Sequence, residues 1–127
     1  MRYPYTDNMP LMKLVVFSPE GEKEYDAYLD IGASKTLIPE SDAHELGLPY
    51  SGEIPILTGS GEDILKLYSA EVAFLEERRR ILVLGRNFPE SSPIRSIIGR
   101  DILDDYKVCF NGREKVIEII HARWQTP

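Results

Sequence analysis

The run Asp30-Ile31-Gly32-Ala33-Ser34 puts one carboxylate at a tight turn made of small residues. Glycine admits backbone angles closed to other residues, and a small neighbour lets other backbone approach closely. A turn of that kind can hold a carboxylate in one orientation, which acid–base chemistry requires. The flanking stretches Tyr25-Asp26-Ala27-Tyr28-Leu29 and Thr36-Leu37-Ile38 would anchor it on both sides. Taken alone, Asp30 also reads as an ordinary turn cap, because Asp-x-Gly sequences recur in turns of no special function. A second glycine turn, Ile97-Ile98-Gly99-Arg100-Asp101, follows much later. Asp101 is a second carboxylate, but a place near a helix start suits a cap or a salt-bridge acceptor better than direct chemistry.

Other chemistries have less support. His44 and His121 are the only histidines, and neither has a metal-ligand spacing, so no metal is expected. Cys109 is the single cysteine, which excludes an internal disulfide. It lies in an apolar run and is expected to be an inert core thiol. Lys and Arg number 15 against 21 Asp and Glu, a net charge of -6 that disfavours nucleic acid as a partner. Arg78-Arg79-Arg80 beside Glu76-Glu77 reads as a polar hairpin tip. No apolar stretch reaches the ~20 residues of a membrane span. The N-terminus, with Pro4, Asp7 and Asn8, lacks a signal-peptide core, so the default expectation is a cytoplasmic protein without a membrane partner.

The elements that must position Asp30 read as short strands. At 127 residues the chain is expected to form one domain, 1–127, with a core that needs no metal or disulfide. Leu11 to Phe17 and Lys23 to Leu29 form an expected hairpin around the Ser18-Pro19-Glu20-Gly21 turn, running directly into Asp30. Lys35 to Pro39 is a short extended piece, and Ser41 to Leu46 a short helix capped by Ser41 and ended by Gly47. Pro49 to Leu57 and Ile64 to Leu75 flank Thr58-Gly59-Ser60-Gly61-Glu62-Asp63, the strongest turn signal in the chain. Glu76 to Arg80 reads as a charged turn, Ile81 to Leu84 as a buried strand, and Arg86 to Pro93 as a loop. Arg100 to Asp105 gives one or two helical turns, and Asn111-Gly112 joins Tyr106–Phe110 to Val116–Ile120 in a terminal hairpin. Many short strands with one or two helical pieces imply a mainly β barrel or folded sheet.

With its two glycine turns in this order, the sequence resembles the retroviral-type (retropepsin-like) aspartic protease family. Asp30-Ile31-Gly32-Ala33-Ser34 matches the family's Asp-Thr/Ser-Gly-Ala motif, and Ile97-Ile98-Gly99-Arg100-Asp101 its later hydrophobic-hydrophobic-Gly element. The resemblance implies a small closed acid-protease-like barrel, one lobe per chain, with Asp30 catalytic and no cofactor. One Asp-x-Gly motif per chain implies an obligate symmetric homodimer acting on an extended peptide or protein. Residues 52–70 would form the flap, with Thr58, Gly59, Ser60 and Gly61 at its tip. Ile97, Ile98, Gly99 and Arg100 would support the active-site turn, and Asp101 would be structural.

Two positions depart from the pattern. Ile31 stands where the family has Thr or Ser, whose hydroxyls interlock beneath the paired aspartates; isoleucine has no such donor. Ser34 stands where retroviral members often carry Asp, which removes an acidic partner for Arg100. The expected function is a homodimeric aspartic endopeptidase, with apolar pockets drawn from Leu29, Ile31, Ile56, Ile81 and Ile98. The alternatives are a weakly active or inactive protease-like peptide-binding or dimerisation module, and an unrelated small β protein with a capped Asp30 turn. Tyr3 to Leu14 and Val116 to Trp124 are the candidate dimer strands, with Trp124 a candidate interface anchor.

Overall fold

Alternation of apolar and polar residues decides most of the architecture, because successive strand side chains point to opposite faces. The computed structural model describes residues 1–121, so Trp124 and the end of the expected Val116–Trp124 strand lie outside it. In chain order the elements are β1 (Arg2–Pro4), β2 (Leu11–Ser18), β3 (Gly21–Leu29), β4 (Leu37–Ile38), α1 (Glu40–Glu45), β5 (Tyr50–Thr58) and β6 (Gly61–Phe74). There follow β7 (Glu77–Gly85), β8 (Ile97–Ile98), α2 (Arg100–Leu103), β9 (Tyr106–Asn111) and β10 (Val116–His121). The fold is mainly β with two short helices, as expected.

One sheet runs β2-β3-β8-β4-β7-β6-β5, and β2 also pairs with β6. A separate sheet runs β1-β10-β9. The larger core contains Leu14, Val16, Val72, Phe74, Ile98 and Ile102. A smaller cluster of Leu37, Leu65, Leu67 and Leu84 lies apart from it, with Ile56 and Ile97 packed against it. β6 serves both: Leu65 and Leu67 belong to the small cluster, while Tyr68, Ala70, Val72 and Phe74 belong to the large one. Leu67 and Tyr68 are consecutive and both buried, so the strand is covered on both faces there.

Several local expectations need correction. Arg78, Arg79 and Arg80 lie within β7, not in a turn. Phe74 pairs with Glu77, leaving Leu75 and Glu76 as a two-residue loop with φ of 51° and 67°. Two positive φ values match the right-handed twist of a hairpin, but this loop lacks the Gly or Asn that usually signals it. Helix α1 starts at Glu40 after Pro39, with no side-chain cap. Ser41 instead offers its N–H and hydroxyl to Asn87 Oδ1, each at 3.1 Å, tying the helix to the loop after β7. Gly47, at φ +64°, does end the helix in the left-handed region. Cys109 is exposed: Tyr106 and Val108 turn toward the core from β9, and Cys109 falls on the other face. The terminal hairpin loop is longer than Asn111-Gly112, because Asn111 itself pairs with Val116.

Candidate active site

Asp30 follows the last residue of β3, and its geometry is set from both glycine turns. Its N–H donates to Ile98 O at 3.0 Å, locking the turn to β8 beside the parallel pairs Tyr28–Ile97 and Leu29–Ile98. Its Oδ1 accepts the Gly32 N–H at 2.9 Å, and Ala33 N–H donates back to Asp30 O at 3.2 Å. Oδ2 has no hydrogen-bond partner among the described residues. One carboxylate oxygen is therefore braced and the other presented, the arrangement of a group that must meet a ligand.

The second glycine turn closes over the first. Arg100 N–H donates to Ala33 O at 2.8 Å, and its guanidinium Nη1 reaches Ile31 O at 2.9 Å. A backbone carbonyl thus takes the place of the missing acidic partner at Ser34. Thr36, fully buried, donates its hydroxyl to Asp101 Oδ1 at 2.8 Å and its N–H to Oδ2 at 3.0 Å. The same hydroxyl accepts the Gly99 N–H at 3.3 Å. Both carboxylate oxygens of Asp101 are occupied in holding the turns together, a structural duty. Gly99 admits no side chain: a Cβ there would lie 2.6 Å from the Lys35 carbonyl carbon and 2.9 Å from Ala33 O.

Asp30 opens on a cleft of about 650 Å³ whose wall includes Gly32, Ala33, Ser34, Ile97 and Arg100. The β5–β6 hairpin forms the facing side through Pro55, Ile56, Leu57 and Leu65. The expected tip residues Thr58, Gly59, Ser60 and Gly61 lie at the hairpin end; Gly59, Ser60 and Gly61 do not line the cleft, whereas residues of the arms do. The hairpin's base is tied down where Tyr68 OH donates to Glu40 Oε2 at 3.2 Å and meets His44 Nε2 at 3.0 Å.

Of the five expected pocket residues, four do not line the cleft. Ile98 is fully buried and Ile81 packs against the large core, while their neighbours Ile97 and Leu82 pack on the smaller cluster. Ile56 does line the cleft. Leu29 and Ile31 instead line a shallower groove of about 330 Å³ on another side of Asp30, with Tyr5, Tyr28 and Phe110. Ile31 is 63% exposed in the single chain. Lys35, Leu37, Leu57, Leu65, Leu84 and Arg86 are cleft residues that motif reading missed. Strand register brings them together, and only the pairings of β4, β6 and β7 reveal it. Among the described residues, no group of three or more His, Cys, Asp or Glu side chains is placed to hold a metal ion, and no helix is long and apolar enough to cross a membrane.

The sheet order, the paired glycine turns and the overhanging hairpin define an aspartic-protease-type lobe. The sequence profile of the aspartyl protease family matches residues 15–102, and the chain belongs to that retropepsin-like family. No curated protein sequence matches it. Among solved structures, a retropepsin-like aspartic protease from Rickettsia conorii is similar at 18% identity and a TM-score of 0.60, covering 92% of this chain and 86% of that one. EIAV protease complexed with the inhibitor HBY-793 is similar at 18% identity and a TM-score of 0.57, covering 78% and 88%. The simian foamy virus (mac) protease solution structure follows at 18% and 0.52, covering 74% and 91%.

Proposed function

We propose that the chain is one lobe, spanning 1–127, of a homodimeric aspartic endopeptidase, with Asp30 of each copy forming the catalytic pair. The observation that carries this reading is the cleft: among the described residues Asp30 is the only carboxylate lining it, braced on one oxygen and open on the other. One carboxylate cannot act as base toward water and as acid toward a carbonyl in the same step. A second copy supplies the missing group, and two carboxylates that close together hold a single proton between them. The ionised member removes a proton from water, whose oxygen attacks the peptide carbon. The protonated member gives its proton to the carbonyl oxygen. On collapse, the C–N bond breaks as a proton passes to the departing nitrogen, leaving a carboxylic acid and an amine. The exposed groove of Ile31, Phe110, Tyr5 and Tyr28 beside Asp30 supports apolar pairing of two copies at this place. The return pairing of β2 with β6 supports the closed barrel expected of such a lobe. Closure of the hairpin would exclude water and align an extended peptide.

Ile31 favours a second reading. Without a hydroxyl below the aspartates, the lobe would bind peptides or pair with its copy while turning over slowly. Native protein and D30N, at matched concentration with a diverse peptide mixture from acidic to neutral pH, separate the two. Cleavage lost in D30N while dimerisation persists supports catalysis by Asp30. Equal cleavage by both proteins overturns the assignment, and dimerisation without cleavage by either leaves the binding module.

A further inference from the structure

The cleft carries charge opposite to that of the molecule. The chain has 21 acidic and 15 basic residues. Among the described residues the cleft wall holds three cations, Lys35, Arg86 and Arg100, against the single carboxylate of Asp30. These cations are not equivalent. Arg100 is committed to the Ile31 carbonyl at 2.9 Å. Arg86 lies 3.6 Å from Asp63 on the hairpin, an exposed and therefore weak pair. Lys35 is half-buried, yet its ammonium makes no hydrogen bond or ion pair among the described residues. The aliphatic stem of a lysine can lie along apolar surface while its ammonium keeps three donors available to a ligand in the cleft.

We propose that Lys35 reads an acidic side chain of the bound peptide, so that preferred substrates carry Asp or Glu flanking the apolar residues at the cut. This rests on the cleft being the peptide site proposed above. Apolar cleft residues such as Leu37, Ile56 and Ile97 would take the central side chains, and the cation meets a carboxylate beside them. Arg86 adds to the same field and becomes more available when the hairpin moves and loosens its contact with Asp63. Charge complementarity of this kind selects partners more than it raises overall affinity.

The test uses full-length D30N and acetylated, amidated decapeptides with a central Leu-Phe pair in a Gln host. Blocked ends make the varied side chain the only added charge. Glu, Gln or Lys is placed singly at each flanking position and binding is measured by calorimetry near neutral pH. Glu in at least one position should bind roughly three- to tenfold tighter than Gln, with Lys weakest. The ranking should persist in Lys35→Arg, vanish in Lys35→Gln and invert in Lys35→Glu. Each ratio is taken within one variant, so a change in folded fraction cancels. In the native enzyme the kcat/KM ratio of Glu to Gln peptides should collapse well below pH ~4.3, where the peptide's own Glu is protonated. Peptides that bind without charge preference, or a Glu preference unchanged in Lys35→Gln, overturn the role of Lys35 alone. Failure of every peptide to bind overturns the peptide-site reading along with it.

Discussion

A methyl group at position 99 would meet the backbone of Lys35 at 2.6–2.7 Å and that of Ala33 at 2.9 Å, and backbone cannot rotate aside as a side chain can. Gly99→Ala should therefore push the two turns apart, costing about 1–3 kcal/mol of stability. Urea unfolding checks this, and an unchanged midpoint would mean that the close approach is not maintained in solution. Thr36→Val tests the adjoining bond network. It leaves Asp101 Oδ1 and the Gly99 N–H without the buried hydroxyl, and a loss of about 1–3 kcal/mol is expected. At this scale the primary sequence was informative where one residue type had one physical use. Asp30 and Gly99 could be read from it, because a turn carboxylate and a glycine in close contact have few substitutes. For Arg100 a supporting place beside the turn could be read, but not its acceptor, which is the Ile31 carbonyl rather than any side chain.

The hairpin of β5 and β6 shows where element-level reading stops. Its turn was legible from Gly59 and Gly61, but the cleft is lined by the arms at Pro55–Leu57 and Leu65, which only strand register identifies. Leu57 is 85% exposed in the single chain, so Leu57→Ser should leave the thermal midpoint nearly unchanged while lowering kcat/KM about three- to tenfold. A kcat/KM equal to the native value would remove Leu57 from the peptide's path. The β6–β7 turn was illegible for a different reason: Leu75 and Glu76 adopt positive φ without Gly or Asn. Beyond that turn, Tyr106 of β9 donates to Glu77 Oε1 at 2.9 Å and accepts from Arg79 Nη2 at 2.9 Å. Burial first, and then the Glu77 hydrogen bond, pushes its phenol up from 10.0 to about 12. The neutral phenol is thus favoured in the folded state. Its stabilisation is complete below the unfolded pKa near 10 and is lost as pH rises toward 12. The thermal midpoint should fall between about pH 9 and about pH 11, and less steeply in Tyr106→Phe; equal slopes would contradict this linkage.

For the molecule as a whole, one chain presents, among the described residues, one cleft carboxylate, Asp30, and an exposed apolar groove beside it. Ile31 is exposed at that place, so if two copies pair there as proposed, Ile31→Asp should weaken their association by bringing like charges together. An unchanged dimer dissociation constant in sedimentation would exclude Ile31 from the interface. The expected Tyr3–Leu14 dimer strand is divided in the structure: β1 pairs with β10 of its own chain, and β2 begins only at Leu11. β1 and β9 remain the edges of the β1-β10-β9 sheet, and the groove around Ile31 is a further surface at which two copies could meet. Whether two copies share one site is tested by mixing native protein and D30N in equal amounts, allowing subunits to exchange, and measuring peptide cleavage at constant total protein. Random pairing leaves about a quarter of the dimers with both aspartates, so activity should fall to about one quarter of the native value. Activity at about one half would show that each chain cuts independently and would contradict the shared site.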